Sequence, residues 1–410
     1  MDIPGLPARK GALKLLDAVL HRGETLDLAA NGALLGIKGQ ADRALARALA
    51  GEALRWLTDL DALIDSATRL VLAPDAKVRS VLRLMLAGWL RLETPPHAVI
   101  ATGLPLLVGG PRRLAQGVFS TLTKRGVTLP AVPTLPTEVA ARWGDRADAI
   151  AAGLATLPQL DLTLRDSSTT GAWAERLGGI SLAPGHARLP RGTAVENLDG
   201  FNEGAWWVQD LAATLPARLL GQGEGRRVLD LCAAPGGKTL QLATAGWQVT
   251  ALDASTKRLQ RMAENLQRVG LDADIVTADA LTWEPAGPFD AVLLDAPCTA
   301  TGTCRRNADV LHRIGPRQIA EMAELQAQLL ERAVGWVGPG GVLVYAVCSL
   351  ETEEGADQAC KVTLTPDPIL AEELPAGLHP TAEGWLRTDP GMLADKGGLD
   401  GFFVARWRLD

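Results

Sequence analysis

Val228–Thr239 reads VLDLCAAPGGKT: a short apolar run, a turn of small residues and glycine, then the opening of a new element. An apolar run bounded in this way reads as a buried parallel strand. The glycines let backbone come close to a ligand at the first turn of the next helix, where free N–H groups point outward. The alternation continues downstream through GWQVTALD, TKRLQRMAENLQRVG, ADIVTAD, PFDAVLLD, QIAEMAELQAQLLERAVGWV and GVLVYAV. Strands alternating with helices predict a doubly wound, Rossmann-like α/β domain over residues 221–410. The closing GFFVARWRL alternates apolar and charged residues, as a partly exposed antiparallel edge strand would.

The loop itself narrows the ligand. A phosphate-binding P-loop needs Gly five residues before the Gly of Gly-Lys-Thr, and Cys232 stands there. The spacing is not GxGxxG either. An S-adenosylmethionine site is the remaining common reading, with Cys232, Ala233, Ala234, Pro235, Gly236, Gly237 and Lys238 as its loop. Asp253 closes the next strand and can accept both ribose hydroxyls, as in other nucleoside-binding α/β folds. Arg258, one turn into the following helix, joins this set. Asp279 ends the third strand near the expected adenine, and Asp295 ends the fourth.

Cys298, in LLDAPCTATGTC, and Cys348, in VLVYAVCSL, each follow an apolar run. Both thiols should meet at the carboxyl edge of one sheet, where open α/β folds keep their ligands. A methyl-donor site beside two thiols points to methylation of a pyrimidine carbon. Carbon 5 of a pyrimidine is a poor nucleophile until a thiolate adds to carbon 6, which is covalent catalysis. Release then needs a base to take the carbon 5 proton. Asp295 is placed to hydrogen-bond the amino group and ring nitrogen 3 of cytosine, provided that it or the ring is protonated. The thiols of Cys232, Cys304 and Cys360 read as inert.

The rest of the chain bounds the class. The 410 residues suffice for two or three domains. Five cysteines with no CxxC pair argue against a disulfide framework or a zinc site, so no metal is expected. With no spanning apolar run and no signal peptide read at the start, a cytoplasmic protein is expected. Residues 1–130 carry 17 Lys and Arg against 11 Asp and Glu, and the remaining 280 carry 24 against 36. The asymmetry suggests a basic module joined to an acidic one, and the modest positive excess is by itself weak evidence for a nucleic-acid surface. Helical spacing of Leu45, Leu49, Ala53, Leu57 and Leu60 makes residues 1–130 an all-α domain. LPAVPTLP, with Pro130, Pro133 and Pro136, reads as a connector into a small α+β subdomain spanning 131–220. Arg305, Arg306, Arg313 and Arg317 read as phosphate contacts or as a solvated helix entry, and Trp206 and Trp207 offer stacking surfaces for bases, with core packing the safer reading for at least one.

CAAPGGKT, DAPC and VCS together resemble the RNA cytosine-5 methyltransferases of the bacterial Sun/Fmu (RsmB) type within the NOP2/NSUN group. GAWWVQDLAA (Gly204–Ala213) and the closing GGLDGFFVARWRL are similar to further segments of that family. The helical start looks like its NusB-like domain. The resemblance implies S-adenosylmethionine as donor and 16S ribosomal RNA as partner; a monomer is expected, though the sequence itself does not give the oligomeric state. It implies Cys348 as nucleophile and Cys298 as the residue that promotes product release. DNA cytosine methyltransferases attack with the Pro-Cys thiol instead, so a DNA enzyme using Cys298 stays open, as does a non-catalytic RNA-binding assembly factor. The chain departs from the pattern at Val347 (Thr in the family), at Gly355 (often Asn), and at Asp166-Ser167, where Val-Asn would follow Arg165.

Overall fold

The computed structural model describes residues 3–192 and 194–410. The chain divides into two compact units, Met1–Ala155 with Arg306–Ile314, and Thr156–Arg305 with Gly315–Asp410.

The first unit is helical. Helix Lys77–Leu90 sits at its centre, with Val81, Leu82, Leu86 and Ala87 fully enclosed. Helices Leu6–Arg22, Gln40–Arg55, Leu57–Ser66, Pro96–Gly103 and Gly109–Arg125 pack around it. Leu15, Leu16 and Val19 form the buried stripe of the first helix, as a 3.6-residue period requires. Buried arginines are matched: Arg83 holds Asp61 through two 2.7 Å bonds.

This unit extends past residue 130, where the sequence pattern placed its end. Asp59 accepts from the backbone N–H of Thr134 at 2.9 Å and from its hydroxyl at 2.7 Å, so the proline stretch is tied down rather than free. Helices Thr137–Trp143 and Ala147–Leu154 follow, and Arg55 donates to the Leu154 carbonyl at 3.1 Å. Residues 306–314 also belong here: Ala308, Val310 and Leu311 are buried. His312 Nε2 donates to the Leu54 carbonyl at 2.6 Å, since a carbonyl can only accept.

The second unit holds two sheets. A small antiparallel one has the order β2-β1-β3, from β1 (Leu160–Leu164), β2 (His186–Leu189) and β3 (Trp206–Val208). GGISL adds only an isolated bridge, Ile180 to Arg188. The large sheet contains β4 (Arg227–Leu231), β5 (Gln248–Asp253), β6 (Asp274–Thr277), β7 (Phe289–Asp295), β8 (Val337–Val347), β10 (Leu386–Thr388) and β11 (Phe402–Arg408). Its order is β10-β11-β8-β7-β4-β5-β6, and β9 (Thr365–Pro366) pairs with β11. The ladder from β8 through β7 and β4 to β6 is parallel. Helices Gly237–Thr244, Thr256–Val269 and Pro316–Gly335 make the crossovers.

β11 is not the exposed edge strand its alternation suggested. It lies antiparallel between β8 and β10 and is buried from Phe402 to Trp407. Its charged residue Arg406 is accommodated by a two-pronged ion pair to Glu373, at 2.7 and 2.9 Å. Trp206 and Trp207 are both enclosed, with indole N–H groups bonded to the Asp199 carbonyl and Gln209 Oε1, so neither offers a face to a base. Among the described residues no helix is long and apolar enough to cross a membrane.

Seating of residues 306–314 is testable. Replacing Val310 and Leu311 together by Asp places two charges in an apolar site. Trypsin should then cut the native chain at Arg306 or Arg313, sites that resist cleavage in the wild type at the same protease dose.

Candidate active site

The parallel strands reverse direction of growth at β4, which has β5 on one side and β7 on the other. Leu231, the last residue of β4, lies opposite both Leu252 and Leu294. The residues beyond these three strand ends therefore open onto one crevice, the position where doubly wound sheets bind ligands.

The loop after β4 is shaped by its backbone. Cys232 adopts a left-handed conformation (φ 59°), and Gly236 lies at φ 102°, where L side chains are strained. A Cβ on Gly236 would also run into Met262. Helix Gly237–Thr244 starts directly after it. Asp253 is buried and accepts from the N–H of Ala234 at 3.2 Å and of Ser255 at 2.8 Å. The guanidinium of Arg258 bonds the Ala234 carbonyl and lies 3.5 Å from Asp253 Oδ2. Ala278 N–H donates to the Asp253 carbonyl at 3.3 Å, which brings exposed Asp279 alongside. Asp279 Oδ1 accepts from Leu281 N–H at 2.9 Å. A turn of small residues, a buried carboxylate at the second strand end and an open edge beside them suit the aminoacid and ribose parts of S-adenosylmethionine.

Lys238 faces the other way from this group. Its Nζ lies 2.6 Å from Asp295 Oδ2 and 5.2 Å from the Phe402 ring centroid. The donor loop and the reacting side are thus joined by one ion pair. Beyond Asp295 and beyond β8 come the two thiols, each partly exposed, with sulfurs 3.4 Å apart. That is a contact between thiols, too long for a disulfide. The hydrogen bond with Cys348, reinforced by burial, pushes the Cys298 thiol well above its usual range. Burial does the same to Cys232, which disfavours its thiolate.

Several expected residues turn out otherwise. Arg305 is enclosed, bonding Asp400 Oδ1 at 2.8 Å, the Gly397 carbonyl at 3.0 Å and Asp210 Oδ2. It braces the chain after Cys298 and is not presented to a phosphate. Asp210, the acid of the Val-Gln-Asp segment, also caps helix Leu211–Arg218 through Ala212 N–H. Arg313 pairs with Asp309, and exposed Arg317 pairs with Glu321. The departures have local reasons. A side chain at Gly355 would strike the Phe403 ring and Arg387. Asp166 accepts from Ser168 N–H at 2.9 Å and so closes its own turn, while Arg165 bonds the Val269 carbonyl. Val347 is buried opposite Phe403.

Sequence reasoning missed Asp230 as a group of interest. It is buried under the donor loop, with Oδ2 accepting from the Thr239 hydroxyl at 2.6 Å and Oδ1 without a hydrogen bond. Burial, helped by nearby Asp295 and Asp253, raises it to about 7.

Comparison with known proteins now adds to the geometry. A family profile described as 16S rRNA methyltransferase RsmB/F matches residues 217–408, and a NusB family profile matches 6–106. Ribosomal RNA small subunit methyltransferase B of Xylella fastidiosa is 33% identical over 432 residues, covering 98% of each chain. The same-named protein of Pseudomonas putida is 33% identical, covering 97% of each.

This chain belongs to the ribosomal RNA small subunit methyltransferase B family.

Membership makes it an S-adenosylmethionine-dependent rRNA methyltransferase with a NusB-like helical start. Among solved structures, that of PH0851 superposes with a TM-score of 0.71 at 22% identity over 99% of both chains. NSun6 from Pyrococcus horikoshii gives 0.58 at 18% identity over 67% of this chain and 98% of its own. At such identities these two establish the shared fold.

Two outcomes follow from the loop. Gly236→Ala should abolish S-adenosylmethionine binding in calorimetry, because both φ and Met262 oppose a methyl group there. Asp230 binds a proton in the folded chain that the unfolded chain releases above about pH 4. Its contribution to stability is full below that pH and declines as pH rises toward 7. The melting temperature of Asp230→Asn, measured against wild type, should therefore gain steadily between pH 4 and 7 and level off above.

Proposed function

We propose that this chain methylates carbon 5 of a cytosine in 16S ribosomal RNA through a covalent adduct on Cys348, acting as a cytoplasmic monomer with no metal. The observation that carries the reading is the 3.4 Å approach of two thiols beside the Lys238–Asp295 pair.

The contact with Cys348 and burial keep Cys298 as the neutral thiol, and in this reading its S–H points to Cys348, the attacking sulfur. Cys348 adds to carbon 6, and the electrons of the C5=C6 bond make carbon 5 nucleophilic. Asp295, as a carboxylate fixed by Lys238, accepts from the amino group of the base and orients the ring. S-adenosylmethionine, held by the 232–237 loop, Asp253, Arg258 and Asp279, supplies the methyl group that carbon 5 takes. Once Cys348 is bonded to carbon it no longer holds the Cys298 proton, and Cys298 can release that proton to water. The Cys298 thiolate then removes the proton from carbon 5. Those C–H electrons restore the C5=C6 bond as the C6–S electrons return to Cys348. The target base has to leave its stack to reach both sulfurs, as for other enzymes that modify bases.

Substitution separates the roles. Cys298→Ser should trap a denaturation-resistant RNA adduct and lower turnover by at least a hundredfold. Cys348→Ser should form no adduct. The reverse pattern would mean that Cys298 attacks, as in a DNA-type enzyme. Bisulfite sequencing of ribosomal RNA from a strain lacking the gene identifies the cytosine.

A further inference from the structure

One buried carboxylate touches the chain on the far side of both thiols. Glu354 is fully enclosed and accepts four hydrogen bonds. They come from the backbone N–H of Thr299 at 2.9 Å, the Thr299 hydroxyl, the Ser349 hydroxyl at 2.7 Å and the Gln326 amide at 2.9 Å. All four donors are uncharged groups. Thr299 directly follows Cys298, and Ser349 directly follows Cys348. The Gln326 amide donates also to the Pro297 carbonyl at 2.8 Å, so the residues on both sides of Cys298 hang on the same group. Two outer bonds close the arrangement: Gly302 N–H donates to the Cys348 carbonyl, and Leu350 N–H to the Thr301 hydroxyl, both at 3.0 Å. Glu354 is itself steadied by Tyr345, whose hydroxyl donates to the Glu354 carbonyl at 2.6 Å.

We propose that Glu354 is the positioning residue of the thiol pair: by gripping Thr299 and Ser349 at once it sets the distance between the sulfurs of Cys298 and Cys348. The proposal rests on the roles assigned to those thiols above. The charge has a second consequence. The titratable groups facing Cys298 are Cys348, Glu354 and Tyr345. The carboxylate of Glu354 adds to the causes that keep Cys298 protonated. Tethering and proton retention thus come from one side chain.

Two conservative variants of the full chain separate reach from charge. Glu354→Gln keeps the length and removes the charge, and the Thr299 and Ser349 hydroxyls can rotate to accept its new N–H group. In a Cys348→Ser background, alkylation of Cys298 should then show its midpoint at lower pH than with Glu354 present. Glu354→Asp keeps the charge and withdraws the carboxylate by one methylene. Its turnover on ribosomal RNA transcripts should fall at least tenfold, with RNA adduct accumulating and KM unchanged, because attack persists while release suffers. An unmoved midpoint in the first variant, or wild-type turnover in the second, overturns the proposal. Should Glu354→Asp fail to fold, Ser349→Ala removes one of the four donors and is read by the same criterion. Failure of the Cys298→Ser chain to form any adduct would sink the nucleophile assignment instead, and the Cys298 midpoint would still report on Glu354.

Discussion

The parallel pairing of β4 with both β5 and β7 is the constraint on which the site depends. A strand at the reversal point has its carboxyl end open on both sides, because the crossovers leave in opposite directions. Pairing fixes heights as well as neighbours: Leu231 is level with Leu252 and Leu294, and Asp295 is level with Ala346. Asp253, Asp295 and both cysteines then follow within a few residues of one edge. A one-residue slip between β7 and β8 would turn every side chain of β8 to the opposite face of the sheet.

The apolar runs of β4, β7 and β8 are legible in the chain because strands covered on both faces contain little else. The glycine turn and the two thiols are legible because their chemistry is local to a few residues. What escapes is whatever depends on distant partners. Asp59 and Thr134 are 75 residues apart, and nothing near either one announces that the proline stretch will be fastened to a helix. The alternation in β11 predicts a strand, which is present, and an edge position, which β10 occupies instead. Arg406 looks like a solvent-facing residue until Glu373 is brought beside it. Arg305 was misread for the same reason, since its partners Asp210 and Asp400 are each 95 residues away.

Buried charge at this site is distributed by function rather than minimised. Arg305 sits between two buried carboxylates, an arrangement in which loss of the arginine costs about 3–5 kcal/mol because both carboxylates lose their counterion. It anchors the chain that runs on from Cys298, so the loop has little freedom on that side. Lys238 and Asp295 form a pair that is only partly enclosed, at 9% and 31% side-chain exposure. That pair is therefore open to exchange of partners from solvent, which the Arg305 cluster is not.

The two thiols look alike in sequence, each a cysteine just past an apolar strand, yet their surroundings differ. Cys298 is bracketed by Pro297 and Thr299, both held by the Gln326–Glu354 group, and it shares its neighbourhood with a buried negative charge. Cys348 follows directly from the last residue of β8, so its position is inherited from the sheet. A sulfur that must attack and later leave along one path gains from a rigid strand behind it. A sulfur that must hold a proton, lose it and take another gains from a neighbour whose charge changes as the reaction proceeds. In the proposed mechanism that neighbour is Cys348 itself, since bonding to carbon takes away the partner that Cys298 contacts. Under that proposal the 3.4 Å contact between the two sulfurs couples attack by one to proton release by the other.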